Sequence, residues 1–160
     1  MDLTLTEEQQ MIVDMTQGIL EEHSTIEVVR QMEDDPRGYP DELWKQLAES
    51  GLTGLLIPES FGGGGQTLLE AALVYEQLGT FLSPVPHFVS SVMSARLLLE
   101  AGSEAQQEAW LSKIAAGDAI LPLAWREPDR GYGEKGVKLA ATPDGDDFLL
   151  SGIKRHVYFG

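Results

Sequence analysis

Apolar residues recur at helical spacing through the first two thirds of the chain. Thr6-Glu7-Glu8-Gln9 has the form of a capping box, and Met11, Ile12, Met15, Ile19 and Leu20 follow on one stripe. Ile26, Val28, Val29 and Met32 predict a second, shorter helix, closed by Pro36-Arg37-Gly38. Pro40 opens a third, with Leu43, Trp44 and Leu47 facing inward and Gly51 as its stop. Thr67-Leu68-Leu69-Glu70 is another capping box. The helix after it is apolar nearly all round to Leu78, which predicts burial on several sides, with Gly79 as its cap. Beyond Ser83-Pro84-Val85-Pro86, a helix is predicted from about His87 to Ala101, with Val89, Val92, Met93, Leu97 and Leu98 inside. Gly102 ends it, and Ser103-Glu104-Ala105-Gln106 starts the last. Six helices with short connectors predict a mainly α fold built on a helical bundle.

The pattern changes after Gly117-Asp118. Ala119 to Trp125 is β-compatible but contains Pro122, which suggests an edge or a strand end. Val137 to Thr142 alternates, Pro143-Asp144-Gly145-Asp146 reads as a turn, and Phe148-Leu149-Leu150-Ser151 follows. The expected organisation is a helical domain over 1–118 and the first strands of an incomplete β domain over 119–160.

Composition narrows the function classes. The 160 residues are 42% hydrophobic and 23% charged, which is globular. No cysteine is present, so no disulfide framework or thiolate chemistry is available, and a reducing cytoplasm is the expected location. Met1-Asp2-Leu3-Thr4 shows no basic signal region. Phe81 to Ala95 is too short and too polar to span a bilayer, so no membrane insertion is expected. A net charge of −15 with scattered basic residues argues against nucleic acid. His23, His87 and His156 lack zinc-type spacing, so no metal is expected. His23 and His156 read as surface residues, and His87 as a capping or packing residue. Glu21-Glu22 and Asp34-Asp35 read as solvated helix ends, and Trp44 and Trp110 as packing residues.

Between the third helix and the Thr67 capping box lies Leu55-Leu56-Ile57-Pro58-Glu59-Ser60-Phe61-Gly62-Gly63-Gly64-Gly65. Gln66-Thr67 follow where a P-loop needs Lys and Ser/Thr, and they also break dinucleotide-fingerprint spacing. Locally the run is a bend whose glycines allow positive φ. Its flanks say more. Gly51-Leu52-Thr53-Gly54 precedes it. Leu73-Val74-Tyr75-Glu76-Gln77-Leu78-Gly79, Ala101-Gly102-Ser103-Glu104-Ala105-Gln106-Gln107, Leu111-Ser112-Lys113-Ile114-Ala115-Ala116-Gly117-Asp118 and Arg126-Glu127-Pro128 follow. In that order and spacing the set resembles the N-terminal part of acyl-CoA dehydrogenases, from about Leu5 to the end of the chain.

The resemblance implies FAD as cofactor, an acyl-CoA thioester as substrate, α,β-dehydrogenation as the reaction, and a homo- or hetero-oligomer. In that family a Thr-Glu-Pro followed by a Gly-Ser pair meets the flavin edge and the pyrophosphate. The corresponding segment here is Leu123-Ala124-Trp125-Arg126-Glu127-Pro128-Asp129-Arg130-Gly131-Tyr132-Gly133. Glu127-Pro128 and Gly131 match, whereas Arg126 replaces Thr and Tyr132 replaces Ser. The implied cofactor-binding residues are Leu123, Trp125, Arg126, Gly131 and Tyr132. The Arg-Glu-Pro form resembles small subunits of two-component dehydrogenases. The family's catalytic base comes from a C-terminal helical domain, so no residue here is nominated as catalytic. The chain is then expected to be an N-terminal portion, inactive alone and holding FAD weakly or not at all. Two alternatives stand beside this: a non-catalytic helical module that pairs with a partner chain, and a flavin monooxygenase or nitroalkane-type oxidase on the same fold.

Overall fold

Four helices begin at a side chain, Thr6, Thr25, Thr67 or Ser103, that accepts an orphan amide of the first turn. The computed structural model describes residues 4–128, 131 and 133–160. Helix α1 spans Glu7–His23, α2 Ile26–Gln31, α3 Asp41–Glu49, α4 Leu68–Thr80, α5 Ala95–Ala101 and α6 Glu104–Ala115. Reciprocal capping boxes at Thr6, Thr67 and Ser103 start α1, α4 and α6 as the sequence predicts. A short antiparallel hairpin closes the described chain: β1, Ala141–Asp144, pairs with β2, Asp147–Leu150.

Two apolar clusters form the core. One joins α1, α3 and α4 through Leu20, Leu43, Leu47, Val74 and Leu78, with Leu52 and Leu55 from the connector. The other joins Ile57 to Ala95 of α5 and to Leu111, Ile114 and Ala115 of α6. Glu70 supplements the first. It is buried and takes a hydrogen bond from Gln9 Nε2 at 2.9 Å, which ties the start of α4 to the start of α1. That bond, with those from Thr67, holds its carboxyl down to about 2.

The tetraglycine is a close backbone crossing. Gly64 and Gly65 donate to the Gly54 and Ile57 carbonyls at 3.0 and 2.9 Å, and Gln66 donates to Leu55 at 2.9 Å. A Cβ on Gly63 would overlap the Ile57 carbonyl, so no larger residue fits. Gly62 and Gly65 take positive φ, 79° and 60°. The connector and α3 are stapled in turn to the end of α6: Thr53 Oγ1 donates to Ala115 O at 2.7 Å, and Trp44 Nε1 to Gly117 O at 2.9 Å.

Several expectations are corrected. Helix α4 is not buried on several sides, because Leu68 and Leu69 are exposed at its start. Gly79 lies inside α4; the left-handed residue that follows the helix is Leu82, φ 51°. Met11 and Met15 of the α1 stripe are exposed, and Thr16 is buried beside Leu20, its hydroxyl satisfied by Ile12 O at 2.7 Å. Residues 119–125 and 137–140 form no strand. Pro143 and Asp144, expected in a turn, end β1, and Gly145-Asp146 alone make the turn. Trp44 is core, whereas Trp110 lies half-exposed under the Lys113 ammonium. His23 is half-buried, and His156 is exposed as expected.

The largest correction concerns 87–101. Phe88–Ser94 forms a π-helix that runs into α5. The wider turn shifts side-chain register, so Ser90, Ser91, Ser94 and Ala95 face the interior. Val89, Val92, Met93 and Leu98 are only half-buried and Leu97 is exposed.

Candidate active-site groove

The π-helix builds one wall of a groove. Ser90 fixes the opposite strand of chain: Leu121 N–H donates to Ser90 Oγ at 3.1 Å, and Ser90 Oγ donates to Ala119 O at 3.4 Å. Residues 119–123 are thereby held beside the serine face. Between this run, the start of α4 and the π-helix with α5 lies a cavity of about 800 Å³. Leu56, Leu68, Val92, Met93, Leu97, Leu99 and Leu123 make it predominantly apolar. Gln66, Thr67, Arg96 and Glu100 supply polar lining. Arg96 Nη2 and Glu100 Oε1 pair at 2.6 Å, both largely exposed.

Past Leu123 the chain carries a polar clamp. Glu127 accepts the Lys138 and Leu139 amides at 2.9 and 2.8 Å, and Lys154 Nζ at 2.8 Å. The Lys154 ammonium, with the Leu139 amide behind it, holds the Glu127 carboxyl down to about 2. Lys154 Nζ also donates to Trp125 O at 3.3 Å, and Arg155 N–H to Arg126 O at 2.8 Å. The hairpin flank therefore fixes the backbone of 125–127. It also gathers Arg126, Lys154 and Arg155 at one place in a strongly acidic chain.

Of the five residues implied for the cofactor, Leu123 lines the groove. Trp125 and Arg126 are half-buried in the clamped run. Gly131 is exposed, with the Glu134–Gly136 turn backed against it. Tyr132 lies outside the described residues. The sequence reading missed Ser90, Ser91, Lys154 and the clamping role of Glu127. The one available signal was the recurrence of serine at 90, 91 and 94 within an apolar stretch.

The residues present fit a flavin in chemical type. The backbone groups of Leu123 and Ala124 make no hydrogen bond within the chain among the described residues. Arg126 and Arg155 bring positive charge to the same stretch of chain, while the Lys154 charge is paired with Glu127. No group of residues able to hold a metal occurs among the described residues, and none of their helices is long and apolar enough to cross a membrane.

The profile of the acyl-CoA dehydrogenase N-terminal domain matches residues 6–118, and the chain belongs to the acyl-CoA dehydrogenase family. It is 33% identical over 160 residues to acyl-CoA dehydrogenase FadE27 of Mycobacterium tuberculosis, covering 100% of this chain and 42% of that protein. It is 30% identical to mitochondrial isovaleryl-CoA dehydrogenase of Bos taurus over 94% of this chain and 36% of that one. Among solved structures, the ChsE4-ChsE5 complex of Mycobacterium tuberculosis superposes with TM-score 0.81 at 31% identity, over 95% of this chain and 40% of that one. A glutaryl-CoA dehydrogenase of Mycobacterium smegmatis in complex with FADH2 superposes with TM-score 0.82 at 26% identity, over 94% and 39%. The chain thus spans about two fifths of the length of these relatives.

Proposed function

We propose that this chain supplies the acyl groove and one edge of the flavin site of an FAD-dependent acyl-CoA dehydrogenase, which removes hydrogen from the α and β carbons of an acyl thioester. The observation that carries the reading is the apolar groove ending at Leu123, next to the clamped run 125–127. Bound FAD supplies the hydride acceptor for such a reaction. The chain's own contribution is positional. The leucine, valine and methionine side chains take an acyl chain out of water. Leu123, Trp125 and Arg126 would hold the cofactor, with Gly131 and Tyr132 as further candidates. The Arg126 guanidinium offers charge where the family pattern offers a hydroxyl. Glu127 and Lys154 keep that backbone rigid, as preorganised donors require. Glu100 is the only carboxylate lining the groove among the described residues, and it is paired with Arg96 at the surface, so no base is assigned here.

A second reading, pairing with another chain, draws on the exposed Leu68, Leu69 and Leu97 and on the two-protein complex among the relatives. Titrating the 160-residue chain with octanoyl-CoA and with FAD, followed by amide shifts, tests the first. Octanoyl-CoA is expected to move residues 91–99 and FAD residues 123–127, without turnover in the presence of an artificial electron acceptor. Shifts confined to other surfaces, or none, would refute the site.

A further inference from the structure

We propose that the groove selects acyl groups carrying an oxygen function on their apolar chain, and that the Ser91 hydroxyl is the group that reads it. The inference rests on the acyl-groove reading above and narrows its substrate class. Ser91 is 2% exposed and lines the groove. Its Oγ is the one buried side-chain nitrogen or oxygen without a hydrogen-bond partner among the described residues. The adjacent Ser90 is bonded to Leu121 and Ala119, so the π-helix satisfies one serine and leaves the next unsatisfied.

A buried hydroxyl without a partner destabilises a fold, and native proteins rarely leave one unless a ligand or water completes it. Val92, Met93, Leu97, Leu99 and Leu123 make most of the remaining lining apolar, with Gln66 and Thr67 as its other neutral polar residues. A plain alkyl chain would fill that space and leave the hydroxyl without a partner. A chain bearing a ketone, ether or hydroxyl would satisfy it, because serine both donates and accepts. A charged function is disfavoured. The two ionic side chains of the lining, Arg96 and Glu100, already neutralise each other at 2.6 Å in solvent. Sites built to bond a substrate oxygen discriminate strongly against analogues that lack it.

The test uses two N-acetylcysteamine thioesters of equal chain length, one with a plain alkyl chain and one with a single mid-chain ketone. Each is titrated into the 160-residue chain and into its S91A variant by calorimetry, with amide shifts locating the site. The wild type is expected to bind the ketone probe roughly tenfold more tightly than the alkyl probe, and S91A to abolish that ratio while binding the alkyl probe at least as well. S91A should also melt no lower than wild type, since it removes an unsatisfied group. Equal affinities in the wild type, or a preference that survives S91A, would overturn the proposal while leaving the acyl groove standing. Failure of both probes to bind would overturn the groove reading and this inference together. A clear fall in melting temperature for S91A would show that the hydroxyl is satisfied within the fold, and would also overturn it.

Discussion

At Tyr75 and His87 the direction of one hydrogen bond follows from another. His87 is fully buried, with Nε2 2.9 Å from Leu52 O and Nδ1 2.7 Å from Tyr75 Oη. A carbonyl only accepts, so Nε2 carries the proton, Nδ1 accepts, and the tyrosine donates. Burial pushes the imidazole below its ordinary 6.5 and the phenol above its ordinary 10. The folded chain therefore binds fewer protons than the unfolded one below pH 6.5, and the stability present above that pH is lost as pH falls. Urea midpoints measured from pH 7.5 to 5.5 should decline, and in H87Q this part of the decline should vanish. Glu127 behaves as a carboxylate whose folded value, about 2, lies under the ordinary 4.5. Its contribution is complete above 4.5 and disappears as pH drops toward 2. Glu127→Gln should accelerate hydrogen exchange of the Lys138 and Leu139 amides and leave α1, α3 and α4 protected. Unchanged exchange at those two amides would remove the clamp from the account.

Among the elements, caps and crossings differ in how sharply they depend on one residue. Thr67→Ala removes the hydroxyl that starts α4 and donates to Glu70, and should cost about 1 kcal/mol in denaturant unfolding. Gly63→Ala drives a methyl into the Ile57 carbonyl of the crossing and should cost about 3 kcal/mol. Gly62→Ala meets open space and only its left-handed φ of 79°, so about 1 kcal/mol is expected. The order of these three costs is the check, and a benign Gly63→Ala would mean that the crossing opens easily. The π-helix is an element of another kind. Its cost in backbone geometry is offset by the contacts of Ser90 and by the small buried face of Ser94 and Ala95.

Across the whole molecule, stability is concentrated where α1, α3 and α4 meet. Leu47→Ala there should cost about 2–5 kcal/mol, since Leu47 is fully buried. Leu73→Ala and Leu98→Ala, at half-buried positions, should cost clearly less, and melts showing the reverse order would misplace the core. Apolar surface is left bare at Leu68, Leu69 and Leu97, and along the hairpin at Phe148, Leu149 and Leu150. Bare apolar area and an open strand edge favour association. Sedimentation should therefore show self-association at high concentration, reduced by Leu149→Lys; a monomer throughout would contradict this.

Signals that act within a few residues were legible in the chain itself. The Thr6, Thr67 and Ser103 boxes mark three helix starts because cap and partner lie three residues apart. Gly51 stops α3 because its φ of 75° needs no neighbour to explain it. The order of motifs around the tetraglycine was enough to place the chain in its family. Contacts distant in sequence were not legible. Periodicity assigned the inside of 87–101 to Val, Met and Leu because it assumes 3.6 residues per turn, and the π-helix breaks that assumption. Pro143 was read as a turn residue because a sequence does not show which strand edge has a partner. The pairing of Glu127 with Lys154, 27 residues apart, and the unpartnered hydroxyl of Ser91 exist only once separate segments are packed together. Local hydrogen bonds fixed where α1, α2, α4 and α6 begin, and long-range packing alone decided which side chains face the groove.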